Sequence, residues 1–267
     1  MQTEPSIYLP AQLECFRNAI ESSAVNSLRI CPTNGKPSLT DSKFAGFPYL
    51  PKSYLHPKDS NGVFMPLLAQ INFAQLPSIP HFPTDGVLQF FLSTKFNHPL
   101  EEKSESIFQQ DFKVRYFPSL LDKNQLIHDF SYLETSNDFP VHKEVKLAFH
   151  HTAEPVSASD YRREHYLASS KLKNQFVSED GRTFDDLYFE KFMAAEHKLG
   201  GYPYFIETDS RRDSTLLKKF DTLLFQIVSN DEQGIMYGDS GILKFFINKQ
   251  NLSKRDFSVI YFIAEQF

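Results

Sequence analysis

A chain of 267 residues, 41% hydrophobic and 23% charged, carries enough apolar material for a packed core as one large domain or two small ones. Its mixed surface and formal net charge of −5 offer no basic field to phosphates or anionic headgroups, which excludes nucleic acid and membrane as expected partners. Two cysteines, Cys15 and Cys31, do not make a disulfide framework, and no signal peptide or bilayer-length apolar run is visible, so a reducing cytoplasm is the expected home.

Phe (27) and Tyr (12) are abundant, Gly is scarce (10) beside Pro (16), and Trp is absent, a composition that predicts a sheet-rich core punctuated by prolines. Over residues 9–26, Leu13, Phe16, Ile20 and Ala24 recur at helical spacing behind Pro10, which predicts an amphipathic helix. Residues 32–42 are polar and turn-rich, as a loop is. From Lys43 the segments KFAGFPYLP, PLLAQINF, GVLQFFLS and DFKVRYF are short, apolar and bounded by turn residues, as strands are. Residues 137–160 read as irregular. In FDDLYFEKFMAAEHKLGG the spacing of Phe184, Leu187, Tyr188, Phe192 and Ala195 predicts a helix with Lys198 in its last turn and Gly200-Gly201 as its stop.

Four of these segments occur twice in the same order. KFAGFPYLP (43–51) matches KLGGYPYFI (198–206), LLAQI (67–71) matches LLFQI (223–227), GVLQFFL (86–92) matches GILKFFI (241–247), and DFKVRYF (111–117) matches DFSVIYF (256–262). The offsets are 155, 156, 155 and 145 residues, and 17 of 28 positions are identical, where unrelated segments would share about two. The ten-residue difference is assigned to an insertion in the polar stretch 96–110. The expected fold is α+β and β-rich: an internally duplicated sheet unit with flanking helices, its two pseudo-symmetric halves packed as one globule. The first unit, with the N-terminal helix, takes residues 1–130; the connecting segment, a helix and the second unit take 131–267.

Alternation in GVLQFFL sends Leu88, Phe90 and Leu92 to the core, with Leu243, Phe245 and Ile247 as their counterparts, and leaves Gln89 and Lys244 on an exposed face. Gln70 and Gln226 share one slot inside apolar strands. They are either structural amides bonded to backbone or ligand-binding amides facing a cleft between the copies. Phe47-Pro48 and Tyr202-Pro203 are structural bends, open to a cis bond, with Gly46 and Gly201 supplying unusual backbone angles. Gly238-Asp239-Ser240-Gly241 resembles a serine-nucleophile motif, but the first copy has Thr84-Asp85-Gly86 there, so a shared turn accounts for both. His150, His151 and Glu154 lack a fourth metal ligand, Asp185, Asp186 and Glu190 fit a solvated helix face, and Arg211-Arg212 among Asp209 and Asp213 fits a surface turn.

Taken together, SKFAGFPYLPK (42–52), PLLAQINFAQLP (66–77), GVLQFF (86–91), KLGGYPYF (198–205), LLFQIVSN (223–230), YGDSGILKFFI (237–247) and LSKRDFS (252–258) resemble the YwqG-like bacterial proteins, a domain family of unknown function. Tyr237 stands where that family usually has Trp. The resemblance implies a cytoplasmic bacterial protein of α+β type, no established reaction, no cofactor and no catalytic residues. By association it implies a toxin-immunity or accessory role. The leading expectation is a noncatalytic binding or interaction protein, an acidic surface suiting a basic partner. The alternative is a small-molecule binding protein or enzyme with Gln70, Asn72, Gln226, Tyr237 and Asp239 in a cleft between the repeats. An oligomeric scaffold is the third.

Overall fold

The computed structural model describes residues 7–94, 103–134, 139–167 and 176–267. A 3-10 turn over Ala11–Phe16 leads into α1 (Arg17–Glu21), β1 (Val25–Thr33), β2 (Lys43–Phe44), β3 (Leu67–Asn72), β4 (Val87–Leu92), β5 (Lys103–Ser106) and β6 (Phe112–Phe117). There follow β7 (Val145–Glu154), α2 (Arg163–Leu167), α3 (Phe184–Lys191), β8 (Lys198–Gly200), β9 (Thr222–Val228), β10 (Gly241–Ile247), α4 (Lys249–Ser253) and β11 (Tyr261–Gln266).

The strands form one antiparallel sheet of eleven in the order β5-β11-β10-β9-β8-β1-β7-β2-β3-β4-β6. Sequence and sheet order part company at its middle. β1 pairs with β8, from late in the chain, and β7 pairs with β2, from early in it. The two are joined to each other over Val25↔Glu154 through Thr33↔Lys146. The edge strands β5 and β6 are consecutive in the chain, so both edges lie within about 20 Å of one another, the reach of their short connection. The sheet is therefore curled into a half-barrel, and its two ends meet inside. Phe90 of β4 lies 4.6 Å from Phe225 of β9 between ring centroids, and Phe112 of β6 lies 5.1 Å from Phe262 of β11.

Leu88, Phe90, Leu92, Leu243, Phe245 and Ile247 do line this interior, in one apolar cluster with Leu28, Ile30, Leu147, Phe149 and Leu199 of the central strands. The outer face is covered differently at the two ends. Over β9–β11 lie loop residues, Phe205 and Phe220 packing with Leu223, Phe246, Tyr261 and Ile263. Beside them a helical layer of Leu13, Phe16, Ile20, Phe184, Leu187 and Tyr188 packs with Val156, which follows β7, and Tyr202, which follows β8. Over β3, β4 and β6 lie loops, with Tyr49, Phe117 and Leu126 in one small cluster and Met65, Leu67 and Phe91 in another.

Several expectations are corrected. The fold is more strongly β than expected, and its helices are few and short. The helix over 9–26 is the 3-10 turn plus α1, because β1 already takes Val25 and Asn26 into pairing with β7. Within 137–160, residues 145–154 are the long strand β7. The helix over 184–201 ends at Lys191; Lys198 and Gly200 are strand residues, held between β1 and β9. Gln89 and Lys244 are fully buried, because the loops that follow β2 and β8 fold over that face. The register does not follow the fourth matched block: Gln89 lies opposite Arg115 and Lys244 opposite Ile263, where the matched segments set 115 against 260. The supposed insertion falls partly on residues 95–102, outside the described residues. The described peptide bonds are all trans.

Gly46 and Gly201 have φ of 73° and 72°, as expected, and each also packs against a carboxylate at an end of β7, Glu144 just before it and Glu154 at its last residue. A Cβ at either glycine would overlap that side chain.

If the two ends of the sheet are held by ring contacts across the interior, Phe90→Ala should cost about 3–5 kcal/mol in denaturant unfolding. A double-mutant cycle with Phe225→Ala should return a coupling of about 0.5–1.5 kcal/mol. A loss below about 1 kcal/mol would mean that the ends do not depend on this contact.

Candidate functional site

Four of the five residues singled out for a cleft point into the protein. Gln70 is fully buried; its Oε1 accepts from Tyr49 N (2.8 Å), and its Nε2 donates to the carbonyls of Leu39 (2.8 Å) and Asp41 (2.9 Å). Gln226 is fully buried too; it accepts from Tyr204 N (2.9 Å) and donates to the carbonyls of Ala194 and Glu196 (both 2.9 Å). Asn72 donates to Thr40 O and accepts from Ala74 N, so it caps the turn after β3. Tyr237 packs in the main core, with its backbone N–H on Ser229 Oγ. Asp239 is exposed on the turn before β10. Gln70 and Asn72 serve one loop, Gln226 serves another, and the turn bearing Tyr237 and Asp239 is separate.

Asp185, Asp186, Glu190, Arg212 and Asp213 are exposed as expected, but other charges read as surface are internal. Arg211 and Asp209 are buried; the guanidinium bonds both Asp209 and Asp160 and lies 4.4 Å from the Phe246 ring centroid. Burial alone would raise the Asp160 carboxyl, but the Arg162 hydrogen bond and the Arg211 charge outweigh it and hold the group below its ordinary range. Lys244 is paired with Glu265, both fully buried, and its ammonium reaches Tyr204 O at 2.9 Å. Lys43 and Lys198, almost fully buried, hold Glu144 and Glu154. Desolvation lowers the Lys43 ammonium, against the pull of Glu144.

His197 stacks edge-on to Phe44 and accepts from Val228 N on Nδ1, which leaves the proton on Nε2 for Gln233. Burial brings its pKa down to about 4.

Among the described residues no cluster of His, Cys, Asp and Glu is suited to a metal. His150 and His151 are exposed but adjacent on β7, so they point to opposite faces of the strand and cannot share an ion. No described helix is long and apolar enough to cross a membrane.

One surface stands out. Phe47 (50% exposed), Tyr54 (50%) and Leu55 (88%) lie on the loop after β2, beside the half-exposed Leu120, Leu121 and Tyr132. Ring contacts gather them in two groups, and Arg115 ties the groups together by donating to Leu55 O while lying over Tyr54 and Phe117. Phe47 stacks on Phe130 at 5.0 Å, Tyr132 packs on His56 and Phe64, and Tyr54 packs on Phe117. Lys58 lies over Phe64 and Arg115 over Tyr54, so cations border the rings. The two loops are tied by Lys52 N to Gln125 O and Ile127 N to Leu50 O (both 2.9 Å), and the Tyr49 hydroxyl accepts from Leu121 N. Large apolar groups held rigidly in water are unusual on a surface that only needs to be soluble. Sequence reasoning took Phe47 as structural; the available signal was Tyr54-Leu55 in a loop otherwise made of turn residues.

Two adjoining cavities, of about 320 and 130 Å³, open at the β1–β7–β8 seam and share Thr152, Glu154 and Glu196. Arg29 lines the smaller one, and among the described residues its guanidinium has no hydrogen bond or ion pair.

A family model described as "Domain of unknown function (DUF1963)" matches residues 42–265. No curated protein matches the chain.

Arg211→Met leaves two buried carboxylates short of a cation and should destabilise by about 3–5 kcal/mol in denaturant unfolding. His197 acts on pH: its folded pKa lies below the unfolded 6.5, so the unfolded chain binds the extra proton. Stability is full above pH 6.5 and falls by about 3 kcal/mol as pH drops to about 4. His197→Asn should flatten that slope relative to wild type; an unchanged slope would assign it to other groups.

Proposed function

The chain belongs to the family described as Domain of unknown function (DUF1963), and from that premise we propose that it is a noncatalytic interaction protein whose docking surface is the aromatic face of residues 47–64 and 113–132. The observation that carries the proposal is the exposure of Leu55, Phe47 and Tyr54 on one rigid, cation-bordered face. Hydrophobic anchors inside a polar rim are what protein interfaces use for affinity. A toxin-immunity or accessory role is one form such binding would take, and it rests on the family resemblance alone.

The scaffold is read as a duplication, with units 1–130 and 131–267 that exchange strands, β1 joining the second unit and β7 the first. Its support is the pair of buried amides. Gln70 and Gln226 bond an amide and two carbonyls each, and every partner in the second set lies 155 residues after its counterpart. In the same way Asn72 N donates to Ser42 Oγ and Val228 N to His197 Nδ1. The free thiols of Cys15 and Cys31 suit the reducing cytoplasm of this reading.

A second reading is a small-molecule binding protein with its site at the seam between the units. Arg29, unpaired beside the buried Lys198–Glu154 pair, favours a ligand that carries a carboxylate. Under this reading a small carboxylate or amino acid raises the melting temperature of the wild type and not of Arg29→Ala; a flat response across such a panel ends it.

The leading reading is tested by affinity capture from the source cells, followed by reconstitution with each captured protein after purification. We expect a stoichiometric complex that Phe47→Ser/Leu55→Asp weakens at least about tenfold, with the melting temperature nearly unchanged. A complex indifferent to that variant would remove the face from the account.

A further inference from the structure

We infer that the occupant of the aromatic face is an amphipathic α-helix of a protein partner, with an apolar stripe flanked by carboxylates. The inference rests on the docking reading above and names the partner's form.

The first support is internal. The position 155 residues after Phe47 is Tyr202, which is 2% exposed because a helical layer lies on it. Leu13 and Phe16 from the N-terminal turn and Phe184, Leu187 and Tyr188 from α3 share its cluster, and its hydroxyl donates to Ser23 O at 2.6 Å. Among the described residues, α1, α2 and α3 all contribute their buried side chains to that cluster, and α4 contributes Leu252 to the main core. Phe47 is covered by one loop ring, Phe130, and its remaining surface is open. The loop after β8 thus carries a helical layer on its aromatic–proline step, and among the described residues the loop after β2 carries none.

The second support is the backbone of the face. Its loops spend their polar groups on one another, Lys52 N on Gln125 O, Ile127 N on Leu50 O and Tyr54 N on Pro51 O. A strand laid across the face would meet few free backbone groups to pair with. A helix needs none, since its own backbone is satisfied internally and it binds through side chains.

The third is charge. The two segments carry Lys52, Lys58, Lys113, Arg115 and Lys123 against Asp59, Asp122 and Asp129, with Asp111 bonded to Ser60 at the border, and Asp59 is buried. Cations hold a small excess over carboxylates here, and the charges set against the exposed rings, Lys58 and Arg115, are positive on a chain whose net charge is −5. This reverses the expectation of a basic partner: the docking face, not the whole-chain charge, sets the sign a partner must match.

Two displayed peptide libraries separate the possibilities, one built on a helical frame with one face and its flanks randomised, the other of unstructured linear peptides. Both are selected on the full chain, with Leu55→Asp and Phe47→Ser/Leu55→Asp as counter-targets; Leu55 is so exposed that the single variant leaves folding untouched. The expected binders come from the helical frame, with apolar residues at i, i+3 or i+4, and i+7 and Asp or Glu beside them. They bind both variants at least about tenfold more weakly and lose affinity as salt rises from about 0.05 to 0.5 M. A central proline abolishes their binding. Binders from the linear library alone overturn the helix, and helical binders with Lys and Arg flanks overturn its carboxylates; either result leaves the docking face standing. Binders indifferent to both variants, or none from either library, overturn both.

Discussion

The pairing of β1 with β7 is the constraint on which the molecule depends. It is the only link in the described sheet between the strands that end at β6 and those that end at β5. β1 is made early and pairs with a strand made late, while β7 does the reverse. Neither end of the sheet can be completed from one continuous stretch of chain, so folding has to bring residues more than a hundred positions apart into register before either end is whole. Long-range closure of this kind is slow, and what repays it is the interior where the curled ends meet, a cluster dominated by Phe44, Phe90, Phe112, Phe225, Phe245 and Phe262.

Outside that interior, buried polar groups do the positioning. Gln70 and Gln226 each hold the turn before the neighbouring strand, β2 or β8, and the loop that follows that strand. Lys43 and Lys198 each hold a carboxylate at an end of β7, Glu144 or Glu154, against a glycine of such a loop. These bonds say little about net stability, since a satisfied buried pair roughly offsets its desolvation. Their effect is geometric: they fix the loops over the outer face. Once fixed, the loop after β8 receives a helical layer, and the loop after β2 presents its aromatics to solvent. The proposed function grows from that difference in cover rather than from the features the two ends share.

Much of the architecture was legible in the sequence. β3, β4, β9 and β10 announce themselves as short apolar runs, and the interior face of β4 and β10 follows from alternation. The central strands were not legible, because VNSLRICPT and VKLAFHHTAE carry polar groups on their outer face and owe their extended form to partners far along the chain. The same remoteness hid the burial of Arg211 and Lys244: a charge reads as exposed until its counter-charge, Asp160 or Glu265, is known to stand beside it. Helix α3 was seen, but its end was misplaced, since nothing local says that Lys198 will be drawn into a strand. For the site, the sequence offered the matched polar residues, which turned inward to backbone. The exposed face lay in a loop whose one sign was an apolar pair among turn residues.

Hydrogen exchange on the protein with and without its reconstituted partner tests the central claim most directly, because it reports which backbone is shielded without assuming the answer. The account predicts new protection concentrated in residues 47–64 and 113–132, with the helical layer around Tyr202 unchanged. Protection confined to the β1–β7–β8 seam, or spread over the helical layer and absent from the aromatic face, would contradict it.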